Sequence, residues 1–250
     1  MTVFPQILGV FSLNKNEDIG AGQTRSKADQ ITYWYARRMS GEDFEIQPLN
    51  AHNVPSGLRT ILNKEEFLRQ YRPEPLYYKT HTVPALETLA RKVRAGEQSF
   101  SVGDLDVAER EFIKALMIDN MSIEANYGLG EVYSEKQDFM KLKQVLNTLL
   151  VIEGSFEFKH RARFNKFGMS LRKNGHHEAS IEYYQKAIEV NGDDEHVYFN
   201  LARVYLDLKD LANCTQILEK ALKINPSFDE AIRFLDWCKK QQRVGAANAS

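Results

Sequence analysis

Apolar and small residues recur along this chain in four registers that step together. Gly96, Gly130, Gly168 and Ala202 lie 34, 38 and 34 residues apart. Phe112, Leu146, Tyr184 and Leu218 step by the same amounts, as do Ala115, Leu149, Ala187 and Ala221, and Ala95, Leu129, Phe167 and Leu201. Each copy holds two apolar runs at helical spacing with a polar turn between them. The predicted helix pairs are 84–100 with 105–118, 123–136 with 139–152, 161–173 with 177–190, and 195–208 with 211–224. A period of about 34 residues is that of one helix–turn–helix unit. The glycine or alanine near the middle of each first helix lets the paired helices cross closely. Gly103–Asp104, Gln137–Asp138, Asn174–Gly175 and Lys209–Asp210 supply the turns. The 38-residue step places four extra residues within Glu153–His160. They form either a wider loop, punctuated by Gly154 and Ser155, or a longer second helix.

After the last copy, Ser227–Arg243 reads as one more helix. Ser227 with Glu230 makes a capping box, and Phe228, Ala231, Ile232, Leu235 and Cys238 line one face. Such a helix covers the last apolar face of a stacked array. Residues 244–250 read as a disordered tail.

Residues 1–82 do not share the period. Val3–Leu13 reads as a strand rather than a leader, since no basic start or cleavage site accompanies it. Asn14–Gln30 reads as a long polar loop. Ile31–Arg38 is a strand with Tyr33 and Tyr35 on one face and Trp34 and Ala36 on the other. Ser40–Asp43 turns the chain into a second strand, Phe44–Leu49. Leu58–Leu62 follows as another. Asn63 caps a short helix with Glu66 in the capping-box position, and Pro73 and Pro75 end it. The prediction is a small, strongly bent sheet with one helix, loosely resembling SH3-like modules.

The repeat itself resembles the tetratricopeptide repeat family. In the last copy, Tyr198, Leu201, Ala202, Tyr205, Cys214, Leu218, Ala221 and Pro226 occupy the family's pattern positions. In the second copy, Leu129, Gly130, Tyr133, Phe139, Leu146 and Leu149 do. The resemblance covers about residues 85–243. It implies a mostly α fold, a right-handed α–α superhelix of helix pairs, preceded by the small α+β module. The organisation expected is a module at 1–82, then 83–243. That span holds repeats at about 89–122, 123–156, 161–194 and 195–228, followed by the capping helix. For function the resemblance implies only a class, protein–protein interaction.

Composition narrows the field. The 250 residues carry a formal net charge of -1, which gives no bulk attraction to nucleic acid or an anionic membrane. Cys214 and Cys238 make no metal motif and no disulfide framework, and they fit a reducing, cytoplasmic setting. Cys214 falls on a small buried position of the repeat and reads as a core thiol. No stretch approaches the roughly 18 apolar residues of a spanning helix. Gly20–Ala21–Gly22 lacks the lysine and third glycine of a phosphate loop. His176–His177–Glu178 reads as a solvated helix start, since adjacent histidines diverge on a helix and no spaced ligand joins them. No catalytic constellation, cofactor site or metal site is expected.

The expected site is the groove lined by the first helices. By resemblance, its partner-binding residues are Tyr127, Glu131, Asn165, Met169, Arg172, Phe199, Arg203 and Leu206. Tyr127, Met169, Phe199 and Leu206 are apolar anchors; the others orient a peptide or protein partner. Val93 with Glu97, and Tyr127 with Glu131, stand where the family's carboxylate clamp needs lysine and asparagine. This excludes the chaperone-tail specificity. A second candidate surface is basic. Lys159, Arg161, Arg163, Lys166, Arg172 and Lys173 fall in a stretch without one acidic residue, suited to an acidic partner. Together with Tyr33–Trp34–Tyr35, Arg37 and Arg38 it supports the alternative reading, a nucleic-acid-binding protein.

Overall fold

The structure is a computed structural model that describes residues 5–19, 26–152 and 154–247. It divides into two compact units, Met1–Ser122 and Ile123–Ser250.

The first unit begins with strands β1 (Gln6–Ile19) and β2 (Ser26–Arg38), paired antiparallel from Gln6↔Arg38 to Ile19↔Ser26 with a bulge between Ile7 and Gly9. β3 (Phe44–Pro48) and β4 (Thr60–Leu62) extend the sheet on one side. Helix α1 (Lys64–Gln70) follows, and the Asn63 side chain accepts its N-terminal bond from the Glu66 amide. β5 (Tyr71–Pro73) then returns to the free edge of β1, giving the order β4-β3-β2-β1-β5. The predicted alternation on β2 is real. Ala36 and Trp34 join a core with Leu13, Phe44, Ile46, Phe67 and Tyr71. On the opposite face Tyr33 stacks on Tyr77, and Tyr35 lies against Tyr78.

Two expectations for this unit need correction. The polar segment Asn14–Gln30 is strand over 14–19 and 26–30, because main-chain pairing in a two-stranded ribbon needs no apolar face. The predicted glycine loop at Gly20–Gly22 lies outside the described residues. Pro73 and Pro75 end α1 as expected, but Tyr71–Pro73 then pairs with β1. Proline is tolerated there because β5 is an edge strand.

A helical stretch leads into the repeats. The short helix α2 (Pro75–Tyr77) passes through a wide turn, Tyr78–Thr82, where the Val83 amide donates to the Tyr78 carbonyl. Helices α3 (Val83–Ser101) and α4 (Leu105–Ile118) form the first pair. They belong to the same unit as the sheet. The Asn50 side chain donates to the Ile118 carbonyl at 2.8 Å, and Ser56 donates to Asp119 at 2.9 Å. The division between the two compact units falls at 122/123, so the first helix pair shares a unit with the sheet.

Among the described residues the second unit holds seven α-helices: α5 (Ile123–Glu135), α6 (Phe139–Val151), α7 (Arg161–Lys173), α8 (His177–Val190), α9 (Glu195–Asp207), α10 (Leu211–Ile224) and α11 (Asp229–Ala247). Asp138, Asp194 and Asp210 cap α6, α9 and α10 through side-chain carboxylates. Gln137 and Lys209 turn in the left-handed region between paired helices, where Gly175 does the same. The four-residue surplus lies between α6 and α7, where Phe158–His160 makes a single tight turn; α6 itself is not lengthened. Phe156 from this insert is buried beside Phe164 and Tyr183.

The last helix differs from expectation at both ends. Ser227 does not cap it: its hydroxyl donates to the Asn225 side chain, and α11 begins at Asp229. α11 also runs on through Ala247, four residues into the predicted tail, because the two alanines there offset the cost of Gly245. Phe228, Ala231, Leu235 and Cys238 are buried as predicted, while Ile232 is partly exposed.

Candidate functional site

The predicted groove residues sit on α5, α7 and α9 and meet different fates. Tyr127 is a correction. Its side chain is 0% exposed, its hydroxyl donates to the Ser155 carbonyl at 2.8 Å, and it accepts from the Tyr183 hydroxyl at 2.9 Å. The ring also meets Phe167 edge-on. Insertion of Ser155 and Phe156 into this core supplies both the cover and the hydrogen-bond partner. Tyr127 is therefore a core tyrosine and not an open anchor.

The polar members form a ladder between successive first helices. Lys166 of α7 bonds Glu131 of α5 at 2.6 Å. Asn200 of α9 donates to Asn165 of α7 at 2.9 Å. Arg172 of α7 bonds Asp207 of α9 at 2.6 Å. All three pairs are 35 residues apart. Between the third and fourth copies, where the step is 34, this is one period plus one; between the second and third, where the step is 38, it is three short of the period. Opposite charges at that spacing were the available signal, and sequence reading did not use it.

The same contacts account for much of the basic stretch. Lys159 pairs with Glu157 at 2.7 Å. Arg161 grips the buried Asp194 carboxylate through two nitrogens, each at 2.7 Å. With Lys166 and Arg172 paired as above, four of the six cations already have acidic neighbours. Their neutralising partners are Glu157, Asp194, Glu131 and Asp207, supplied largely by neighbouring repeats. Arg163 is half-buried, and Lys173 is exposed.

The aromatic strand is engaged too. Besides the Tyr33–Tyr77 stack, Trp34 meets Tyr71 edge-on and donates from its indole nitrogen to Thr32. Arg37 bonds Glu45 and lies over the Tyr35 ring. The three rings, Arg37 and four of the six cations of the basic stretch are thus engaged within their own units, and the nucleic-acid reading finds no support.

What stays available lies on α7, α9 and α11. Met169, Phe199 and Leu206 are half-buried. Phe199 packs against Phe228 and Phe234, and Phe234 packs against Trp237, whose side chain remains 45% exposed. Trp237 stands 34 residues after Arg203, so it continues the groove register onto the capping helix. Arg203 makes no hydrogen bond or ion pair among the described residues. The groove residues expected from sequence end with the fourth copy and so leave out Phe234 and Trp237 of the capping helix.

A separate cavity of about 590 Å³ opens between α6 and α8, lined by Phe139, Leu146, Leu171, His176 and Leu208 among others. His176 packs its ring on Phe139, and burial lowers its pKa below the usual histidine value. Among the described residues no group of three or more His, Cys, Asp or Glu side chains is placed to hold a metal. No described helix is long and apolar enough to cross a membrane.

The tetratricopeptide repeat family profile matches residues 164–194 and 195–228. The chain is 26% identical over 148 residues to the anaphase-promoting complex subunit CDC16 of Saccharomyces cerevisiae, a match covering 58% of this chain and 18% of that protein. It is 28% identical over 112 residues to the TPR repeat-containing protein MJ1428 of Methanocaldococcus jannaschii, covering 45% and 19%. The chain thus spans less than a fifth of the length of these relatives. A crystal structure of MamA protein superposes with a TM-score of 0.49 at 23% identity, covering 62% of this chain and 83% of that one. The family profile thus places tetratricopeptide repeats at residues 164–228, the third and fourth helix pairs of this chain.

Proposed function

We propose that the chain is a non-enzymatic scaffold that holds a protein or peptide partner on the face shared by α7, α9 and α11. One observation carries this reading. Phe199, Phe234 and Trp237 form a run of aromatic rings ending in an exposed tryptophan, on the same faces as Arg203, a cation with no ion pair among the described residues. Aromatic and arginine side chains dominate binding hot spots, each costing about 2 kcal/mol or more on truncation. Met169 and Leu206 add apolar surface, while Asn165 and Arg172, bonded to Asn200 and Asp207, hold α7 against α9. The anaphase-promoting complex subunit among the relatives works within a protein complex, which agrees with a protein partner. The four helix pairs with α11 as cap act as the scaffold, and the two free thiols fit a cytoplasmic setting.

The experiment is affinity capture from the native host with the full chain and with Arg203→Ala and Trp237→Ala variants of unchanged circular dichroism. Proteins retained by the wild type and lost with both variants are then titrated calorimetrically. A tenfold or greater loss of affinity is expected for each variant, as a hot-spot truncation implies. Undiminished binding by both variants, with loss on reversing Lys159 and Lys173 to glutamate, would move the site to the basic surface.

A further inference from the structure

The chain contains two cysteines, Cys214 on α10 and Cys238 on α11. They are far apart in sequence, yet their sulfurs lie 3.5 Å from each other. Both are free and fully buried. The repeat explains why they meet. Cys214 holds the small position of a second helix, which Ser180 holds in the preceding copy; Cys238 lies 34 residues after Val204. Ser180 and Val204, one period earlier, are buried at the corresponding positions. One period on, in the fourth copy and on the capping helix, each position is cysteine.

We propose that Cys214 and Cys238 are a modification site, forming a reversible disulfide that staples the capping helix α11 to α10. The inference does not depend on the partner-binding reading. A disulfide needs its sulfurs about 2.05 Å apart and its Cα atoms within reach, so the present contact must close by a small side-chain adjustment. Burial raises both thiol pKa values, so the packed dithiol is inert at neutral pH. Reaction proceeds when α11 opens locally away from α10.

The oxidant is a hydroperoxide. In the opened state the Cys238 thiolate attacks a peroxide oxygen; the O–O bond breaks, hydroxide leaves, and a sulfenic acid forms. Cys214, giving up its proton, attacks that sulfur; the S–O bond breaks and hydroxide departs, to be protonated to water. Two thiols and one hydrogen peroxide thus yield one disulfide and two waters, with two electrons passing from sulfur to peroxide oxygen. A thiol reductant reverses the change by exchange. The bond closes the loop between the two helices and holds Phe228 and Phe234 against Phe199.

The test uses the full wild-type chain, treated with hydrogen peroxide and then alkylated. The expected results are a monomer lighter by two hydrogens and loss of both titratable thiols. A non-reducing digest should contain one crosslinked peptide pair spanning 214 and 238. Tm should rise by several degrees and fall back on adding dithiothreitol, since the crosslink restricts the unfolded chain. Cys214→Ser and Cys238→Ser should each show neither the crosslink nor the rise. Two thiols that persist, independent oxidation of each to sulfinic acid, or crosslinking between chains would each overturn the proposal. The peptide map of the wild type decides the matter even if a serine variant fails to fold.

Discussion

The hydroxyl of Tyr183 on α8 donates to the hydroxyl of Tyr127 on α5 at 2.9 Å, and Tyr127 passes its own proton on to the Ser155 carbonyl at 2.8 Å. Both rings are fully buried. The two substitutions to phenylalanine are therefore unequal. Tyr127→Phe leaves a buried carbonyl and a buried hydroxyl unmatched, and should cost about 1–3 kcal/mol. Tyr183→Phe removes one bond while Tyr127 keeps its partner at Ser155, and should cost about 0.5–1.5 kcal/mol. Urea unfolding of the two variants checks the order. Equal losses would mean that the insert does not depend on Tyr127.

The same burial makes the second unit sensitive to alkali. Desolvation holds the phenols of Tyr127, Tyr183 and Tyr184 above their usual value near 10. Above about pH 10 the unfolded chain releases these protons first, so the folded state binds more protons and stability falls as pH rises. The slope is about 1.4 kcal/mol per pH unit for each such tyrosine. This contribution is fully present below pH 10. Unfolding free energy measured from pH 8 to 11 should be flat with respect to these groups and then drop, less steeply in Tyr127→Phe.

Gly168 and Tyr184 are matched in size. A Cβ added at Gly168 would come within 2.5 Å of the Tyr184 ring, as one at Gly96 would come within 2.7 Å of Phe112. The fourth copy solves the same contact with Ala202 and Leu218, both buried. Gly168→Ala alone should destabilise by about 1–3 kcal/mol through overpacking. Combined with Tyr184→Leu it should cost less than the two changes summed, a coupling that a double-mutant cycle reads directly. Strict additivity would show that the two positions do not constrain each other.

Arg161 and Asp194 form the most enclosed ion pair of the ladder. Asp194 also caps α9, accepting from the His196 amide at 3.0 Å. Arg161→Ala leaves that carboxylate without its two-nitrogen partner and should cost about 1–2 kcal/mol, after allowance for the partly exposed arginine. Lys166→Ala breaks a pair with Glu131 whose lysine is mostly in water, and should cost no more than about 0.5 kcal/mol. Thermal unfolding of both variants in low and high salt tests the ranking. Only the Lys166 effect should fade with salt.

Deleting Asp229–Ser250 should do more than shorten the chain. It takes Phe234 away from Phe199 and Cys238 away from Cys214, which is left on an open face of α10. A stacked array without its cap aggregates or frays. Light scattering and melting of the truncated protein provide the check, and a stable monomer would make α11 an appendage.

The repeat register was legible in the sequence because each copy must bury the same stripe at the same spacing. Gly96, Gly130, Gly168 and Ala202 mark helices whose positions follow from local patterning, and the turns at Gln137, Gly175 and Lys209 follow from local chemistry. The alternation at Tyr33–Ala36 was legible for the same reason. Tertiary structure alone decided the rest. The Asn14–Ile19 pairing is held by backbone bonds that leave no side-chain signature. β5 needed a free edge on β1 to pair with. Tyr127 looked open by register, but an insert from 28 residues away covers it and takes its hydrogen bond. The cations of α7 looked like a patch because their acidic partners lie on other helices, about one period distant. Cys214 and Cys238 were unrelated in sequence and touch only because the cap helix lies on α10. Patterns within a helix are set by local periodicity; which charges cancel, which rings are covered and which thiols meet depend on neighbours that only packing brings together.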